Sequence, residues 1–203
     1  MEPRPETYLA LAARILAEPP RCGPVRLVAV DGPGGAGKST FAEHLARALG
    51  SAQIVHTDDF ASWDNQVGWW PRLEEQVLGP LERGSAGRYQ RYDWVRRELA
   101  EWHDVPLAPA LVIEGVSSAR RAVAGRLTCA VWIETGETER LRRGLVRDGE
   151  DALPQWHVWM AEEDRHFAED RTRDRADVMV DGAPHDAPTD PAHTYMRLPL
   201  TER

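Results

Sequence analysis

The segment Gly32-Pro33-Gly34-Gly35-Ala36-Gly37-Lys38-Ser39-Thr40 fits the pattern G-x-x-x-x-G-K-[ST]. Glycines let successive backbone N–H groups point at phosphate oxygens. A helix beginning directly behind the loop adds the positive end of its dipole. In such a cradle Lys38 reaches toward the β- and γ-phosphates, and Ser39 offers a hydroxyl to Mg²⁺. Other candidates for chemistry lie far away in sequence: Asp58-Asp59, Glu114 and the arginines 140, 143 and 147. Carboxylates with Ser39 form an oxygen set suited to Mg²⁺, and one carboxylate can take the proton of an acceptor hydroxyl. Taken alone, Asp58-Asp59 reads as a polar turn at a strand end; beside a phosphate loop it reads as functional. Arg140, Arg143 and Arg147 fall at i, i+3 and i+7, hence on one helix face. Facing a phosphate site they neutralise developing charge. The alternative is a solvated helix whose arginines pair with Glu137, Glu139 and Asp148.

These residues need a scaffold. An amphipathic helix is expected from Tyr8 to Leu16, ended by Pro19-Pro20. Continuous apolar runs at 25–30, 53–55, 110–113, 127–133 and 178–180 read as buried strands. Helical patterns separate them at 38–49, 71–82, 137–147 and 154–169. Residues 89–94 read as irregular and 95–102 as helical. The expected architecture is α/β: a three-layer sandwich with a mostly parallel five-stranded sheet and helices on both faces. Ligands of such sheets sit outside the carboxyl ends of the strands. The glycine loop, Asp58-Asp59 and Glu114 all follow strand ends, so they are expected to converge. Residues 1–182 are expected to form one domain, with the tail 183–203 loose.

Bulk properties bound the function. The chain of 203 residues is 42% hydrophobic with a formal net charge of −8. No broad basic face is expected, which argues against nucleic-acid binding. No stretch reaches the length of a membrane span. Cys22 and Cys129 lie far apart, which suits a reduced cytoplasmic setting. A homo-oligomer is left open. Eight tryptophans are present, and most fall outside the apolar strands. They either line a pocket or pack helices on the sheet.

The loop, Asp58-Asp59-Phe60, Tyr92-Asp93-Trp94, Ile113-Glu114-Gly115, Arg140 to Asp148 and Ala176 to Val180 occur in an order that resembles the uridine kinase-like branch of the P-loop kinases. The resemblance implies ATP with Mg²⁺ and a small-molecule acceptor hydroxyl, foremost the 5′-hydroxyl of a nucleoside. It implies Asp58 as base, and Lys38, Arg143 and Arg147 as the charges around the moving phosphoryl group. Gly32, Gly34, Gly35, Ala36, Gly37, Lys38, Ser39, Thr40 and Arg140 fall to the nucleotide. Asp58, Phe60, Trp63, Tyr92, Asp93 and Trp94 fall to the acceptor, and Ser39, Asp58 and Glu114 to the metal. Residues 137–152 take the place of a short helical lid. Ala61 stands where the family usually has tyrosine, and segment 63–70 has no counterpart. A non-nucleoside acceptor and a nucleotide switch without acceptor are the two other readings.

Overall fold

The computed structural model describes residues 3–62, 65, 67–186 and 188–200. In chain order the elements are β1 (Arg4–Thr7), α1 (Tyr8–Ala17), β2 (Arg26–Asp31), α2 (Lys38–Ala48) and β3 (Gln53–His56). A helical stretch follows: α3 (Trp70–Leu73), a π-helical turn (Glu74–Leu78) and α4 (Gly79–Glu82). Then come β4 (Gly87–Asp93), β5 (Glu98–Val105), β6 (Ala110–Glu114), β7 (Leu127–Glu134), α5 (Glu137–Asp148), α6 (Leu153–Asp170), β8 (Val178–Asp181) and β9 (Thr194–Leu198).

The main sheet has the order β1-β9-β8-β7-β2-β6-β3. Its five consecutive strands from β8 to β3 pair in parallel, as the apolar runs require. Both faces of β2 are buried: Val28 and Val30 turn toward α1 and α2, and Leu27 and Ala29 toward the helical stretch 70–82. The period-2 alternation of a strand makes this possible only where both residue sets are apolar. Each fully buried Val or Leu contributes about 1.5–3 kcal/mol. The Thr7 hydroxyl accepts the Ala10 N–H at 3.1 Å and starts α1. Within the stretch 70–82, Pro80 has no N–H to give to the preceding turn, and the helix widens just before it.

Three sequence expectations are corrected. The sheet has seven strands, because β9 joins β8 and β1 antiparallel to it at one edge. The tail is therefore not loose throughout. Tyr195 packs on Tyr8 and Phe41, with ring centroids 5.3 and 5.1 Å away, and its hydroxyl donates to Glu6 at 2.9 Å. Residues 89–102 are neither irregular nor helical: they lie in a separate antiparallel hairpin, β4–β5. Glu98, Leu99, Ala100 and Glu101 favour helix locally. Cross-strand contacts override that preference. Arg91 Nε donates to Glu101 at 2.6 Å, and Gln90 Nε2 to the Ala100 carbonyl at 2.7 Å.

Candidate functional site

The glycine loop joins β2 to α2 at the carboxyl edge of the sheet. Gly37 has φ +103°, a conformation open to glycine, and α2 begins at the next residue. Gly32 has φ +142°, and a Cβ there would come within 2.6 Å of the Ile133 carbonyl. Asp31, fully buried at the end of β2, fastens the loop. Its Oδ1 accepts the Gly32 and Ser117 N–H groups at 2.7 and 2.9 Å, and its Oδ2 accepts that of Ala119 at 2.8 Å. Burial pushes the Asp31 pKa up to about 7 against the pull of these donors and of Lys38. One carboxyl thus ties the glycine loop to the segment behind β6. Sequence reading missed it, because nothing local marks a strand-end aspartate as buried.

A cavity of about 720 Å³ opens over the loop. Gly34, Gly35, Gly37, Lys38, Ser39 and Thr40 line it, together with Asp58, Glu114, Arg143 and Arg147. The expected convergence is thus found for these residues. Lys38 Nζ donates to the Pro33 carbonyl at 3.0 Å. Ser39 Oγ lies 3.3 Å from Glu114 Oε1, and His56 Nδ1 lies 2.7 Å from Glu114 Oε2. That hydrogen bond raises the His56 pKa. Asp58 is open to the cavity but enclosed by its walls. The enclosure raises its pKa, Glu114 adds to the rise, and Lys38 opposes it.

Aromatic rings complete the cavity. Trp94 Nε1 donates to the Asp58 carbonyl at 3.0 Å. Trp94 meets Trp159 edge-on with centroids 5.8 Å apart, and Trp159 meets Trp156 at 6.4 Å. The three rings run as an arc from Asp58 back to the loop, where Trp156 borders Gly34. Trp156 presses on Gly144 of α5 so closely that a Cβ there would lie 2.3 Å from its ring. Trp156 Nε1 donates to Asp148 at 3.0 Å. Spacing alone does not separate these tryptophans from core ones; the signal lies in α6, which carries both Trp156 and Trp159.

The arginines line the cavity only in part, and several other expected residues lie outside it. Arg143 lines the cavity, yet its N–H groups go to the Gly35, Ala36 and Gly182 carbonyls at 3.3, 3.4 and 3.0 Å and to Glu139 at 2.8 Å. It fastens the loop. Arg147 pairs with Asp148 at 2.7 Å and stacks over Trp156 at 5.6 Å. Arg140 is 6% exposed and does not line the cavity. Ala36 is buried, and its carbonyl accepts from Thr135 at 3.0 Å. Phe60, expected at the acceptor, is 2% exposed and packs on Tyr89 at 4.7 Å in the core beneath the cavity. The 3-10 turn Thr57–Asp59 swings its ring inward. Asp93 is a turn cap, accepting the Val95 and Arg96 N–H groups at 3.0 and 2.9 Å. Tyr92 packs edge-on against Trp94 at 5.5 Å and does not line the cavity. Trp63 lies outside the described residues.

Solved structures share this fold. A candidate fructose transport system kinase from Silicibacter sp. TM1040 superposes with a TM-score of 0.64 over 81% of this chain and 95% of that one, at 19% identity. A possible uridine kinase from Bacillus stearothermophilus gives 0.60 over 85% and 96%, at 18% identity. This chain has the fold of the P-loop kinases. The sequence resemblance is met at the level of fold. No protein-family model matches the chain. A cytidylate kinase of Edwardsiella ictaluri is 31% identical over 132 residues, which span 63% of this chain and 57% of that relative. This chain therefore covers little more than half the length of that relative.

Within this P-loop kinase fold the residues present suit a nucleotide and a hard cation. The loop supplies N–H donors at a helix start, and Ser39, Glu114 and Asp58 supply oxygens on the same cavity. Among the described residues no group of three or more His, Cys, Asp or Glu is arranged to hold a metal by itself. The set suits an ion that takes its other ligands from water and phosphate. No described helix is long and apolar enough to cross a membrane.

Proposed function

We propose that this protein is a small-molecule kinase that transfers the γ-phosphoryl group of ATP to an acceptor hydroxyl, foremost the 5′-hydroxyl of a nucleoside. The observation that carries this reading is the single cavity shared by Lys38, Ser39, Asp58, Glu114, Arg147 and three tryptophans. Ser39, Glu114 and Asp58 would hold Mg²⁺, which would supply positive charge against the phosphates. Lys38 leaves the Pro33 carbonyl for the β- and γ-phosphates. Arg147, at the cavity surface beside Trp156, adds charge over the moving group. Asp58 accepts the proton of the attacking hydroxyl. The flat faces of Trp94 and Trp159 suit a planar acceptor such as a nucleobase. The proposed setting is the cytoplasm.

The neighbours in fold and sequence widen the acceptor choice to a sugar and to a nucleoside monophosphate. The test is ADP release from Mg·ATP against uridine, cytidine, cytidine monophosphate, fructose and pantothenate, with Lys38→Ala as control. Acceleration by uridine or cytidine that Lys38→Ala abolishes supports the nucleoside reading. Acceleration by fructose, pantothenate or cytidine monophosphate alone replaces the acceptor. Hydrolysis that no acceptor raises favours a nucleotide switch.

A further inference from the structure

The buried acid Glu163 of α6 has no place in the chemistry above, yet it touches the glycine loop. Its Oε2 accepts the Gly34 N–H at 2.9 Å. Glu163 is 9% exposed and lines the cavity. Behind it lies Arg140, whose Nη1 is 3.8 Å from the same Oε2. That distance is an ion pair but not a hydrogen bond. Among the described residues, Arg140 Nε and Nη1, both buried, have no hydrogen-bond partner. A buried guanidinium with unmade hydrogen bonds is costly. Glu163 thus stands between two donors and satisfies only one of them.

Position decides what the arrangement does. Burial pushes the Glu163 pKa up, while Lys38, the Gly34 N–H and Arg140 pull it back, so the carboxyl feels the Lys38 ammonium. Lys38 is the group that meets the β- and γ-phosphates. A carboxylate there is repelled by the phosphates that Lys38 meets, and a triphosphate brings one more phosphate group against it than a diphosphate does.

We propose that Glu163 is a charge gate for the terminal phosphate: it holds the Gly34 N–H while the cradle is empty and turns to Arg140 when a triphosphate enters. The gate rests on the reading that the loop binds nucleotide. It makes Glu163 a positioning residue that penalises the triphosphate more than the diphosphate. Once the γ-phosphoryl group has left, the carboxylate returns to Gly34.

The experiment is calorimetric binding of ADP and of a non-hydrolysable ATP analogue, both with Mg²⁺, to wild-type protein, Glu163→Gln and Glu163→Asp. Glutamine keeps an oxygen for Gly34 and removes the charge. The expected result is about tenfold tighter triphosphate binding in Glu163→Gln, with ADP changed less than threefold, and no such gain in Glu163→Asp. Equal changes for both nucleotides, or none, overturn the gate and leave the nucleotide site standing. Wild-type protein that binds neither nucleotide overturns the site reading, and the gate with it. A crystal structure of the wild-type protein with the analogue needs no variant. Glu163 is expected within hydrogen-bond distance of Arg140 Nη1, and a carboxylate still on Gly34 refutes the gate.

Discussion

The two walls of the cavity are built on opposite principles. The glycine loop is one continuous run of nine residues, Gly32 to Thr40, shaped by backbone geometry and fastened by Asp31 and Arg143. The aromatic wall is assembled from distant places: Trp94 at the tip of a hairpin, and Trp156 and Trp159 on α6. Phosphate is the same in every nucleotide, so a fixed local device can hold it. An acceptor varies, and a wall of separate side chains can be changed one ring at a time. On the proposed kinase reading the two walls divide the work: Lys38 and its loop hold phosphate, and the rings select the acceptor.

The comparison can be broken at the residue where the walls meet. Asp58→Asn is expected to lower kcat by about 10²–10⁴-fold, the usual contribution of a general base. Nucleotide affinity, measured by calorimetry, is expected to stay within a few-fold, and near-normal turnover removes Asp58 from the role. On the loop side, Asp31→Ala leaves three buried N–H groups without their acceptor and is expected to cost on the order of 3 kcal/mol in urea unfolding. A loss well under 1 kcal/mol would show that the loop holds its shape without Asp31. Gly144→Ala forces a methyl group against the Trp156 ring and is expected to cost about 1–3 kcal/mol by the same measurement. A neutral outcome means that α5 and α6 yield to each other freely. Trp159→Ala sharpens the division most gently: acceptor KM is expected to rise several-fold up to about tenfold, as loss of one aromatic contact implies, with nucleotide KM unchanged. An equal rise in both constants would merge the two walls into one.

A pH profile tests the joint without disturbing the packing. As base, Asp58 works only when unprotonated. Activity is therefore expected to fall on the acid side of the kcat/KM profile, and this acid limb is expected to be absent in Asp58→Asn. A limb that persists unchanged in Asp58→Asn contradicts the assignment.

The legible parts of the molecule were the locally encoded ones. The glycine loop carries its own motif, and the five central strands announce themselves by apolar runs. Together these give the sheet, the parallel order and the position of Lys38, Ser39, Asp58 and Glu114. What stayed hidden depends on contacts between distant residues. The β4–β5 hairpin is written in helix-forming letters, Glu98 to Glu101, and only its partner strand reveals it. Phe60 follows two aspartates as a ligand residue would, yet the turn points it into the core. β9 is short and follows a proline-rich stretch, and the ring of Tyr195 ties it down. Glu163 is one of six acidic residues between 162 and 174, and only the fold reveals that it is the one turned inward to Gly34.

The pairing of β1 with β9 has a use outside chemistry. Arg4 lies opposite Arg197, and Thr7 opposite Thr194, at one border of the sheet. Neighbouring strands are about 4.8 Å apart, so a short peptide could join the two segments. The chain could then be reopened at an exposed turn such as Gly84–Ser85. A circularly permuted protein of this kind would carry its new ends away from the original seam and keep the order of the central strands, a route to inserting reporter domains beside the hairpin.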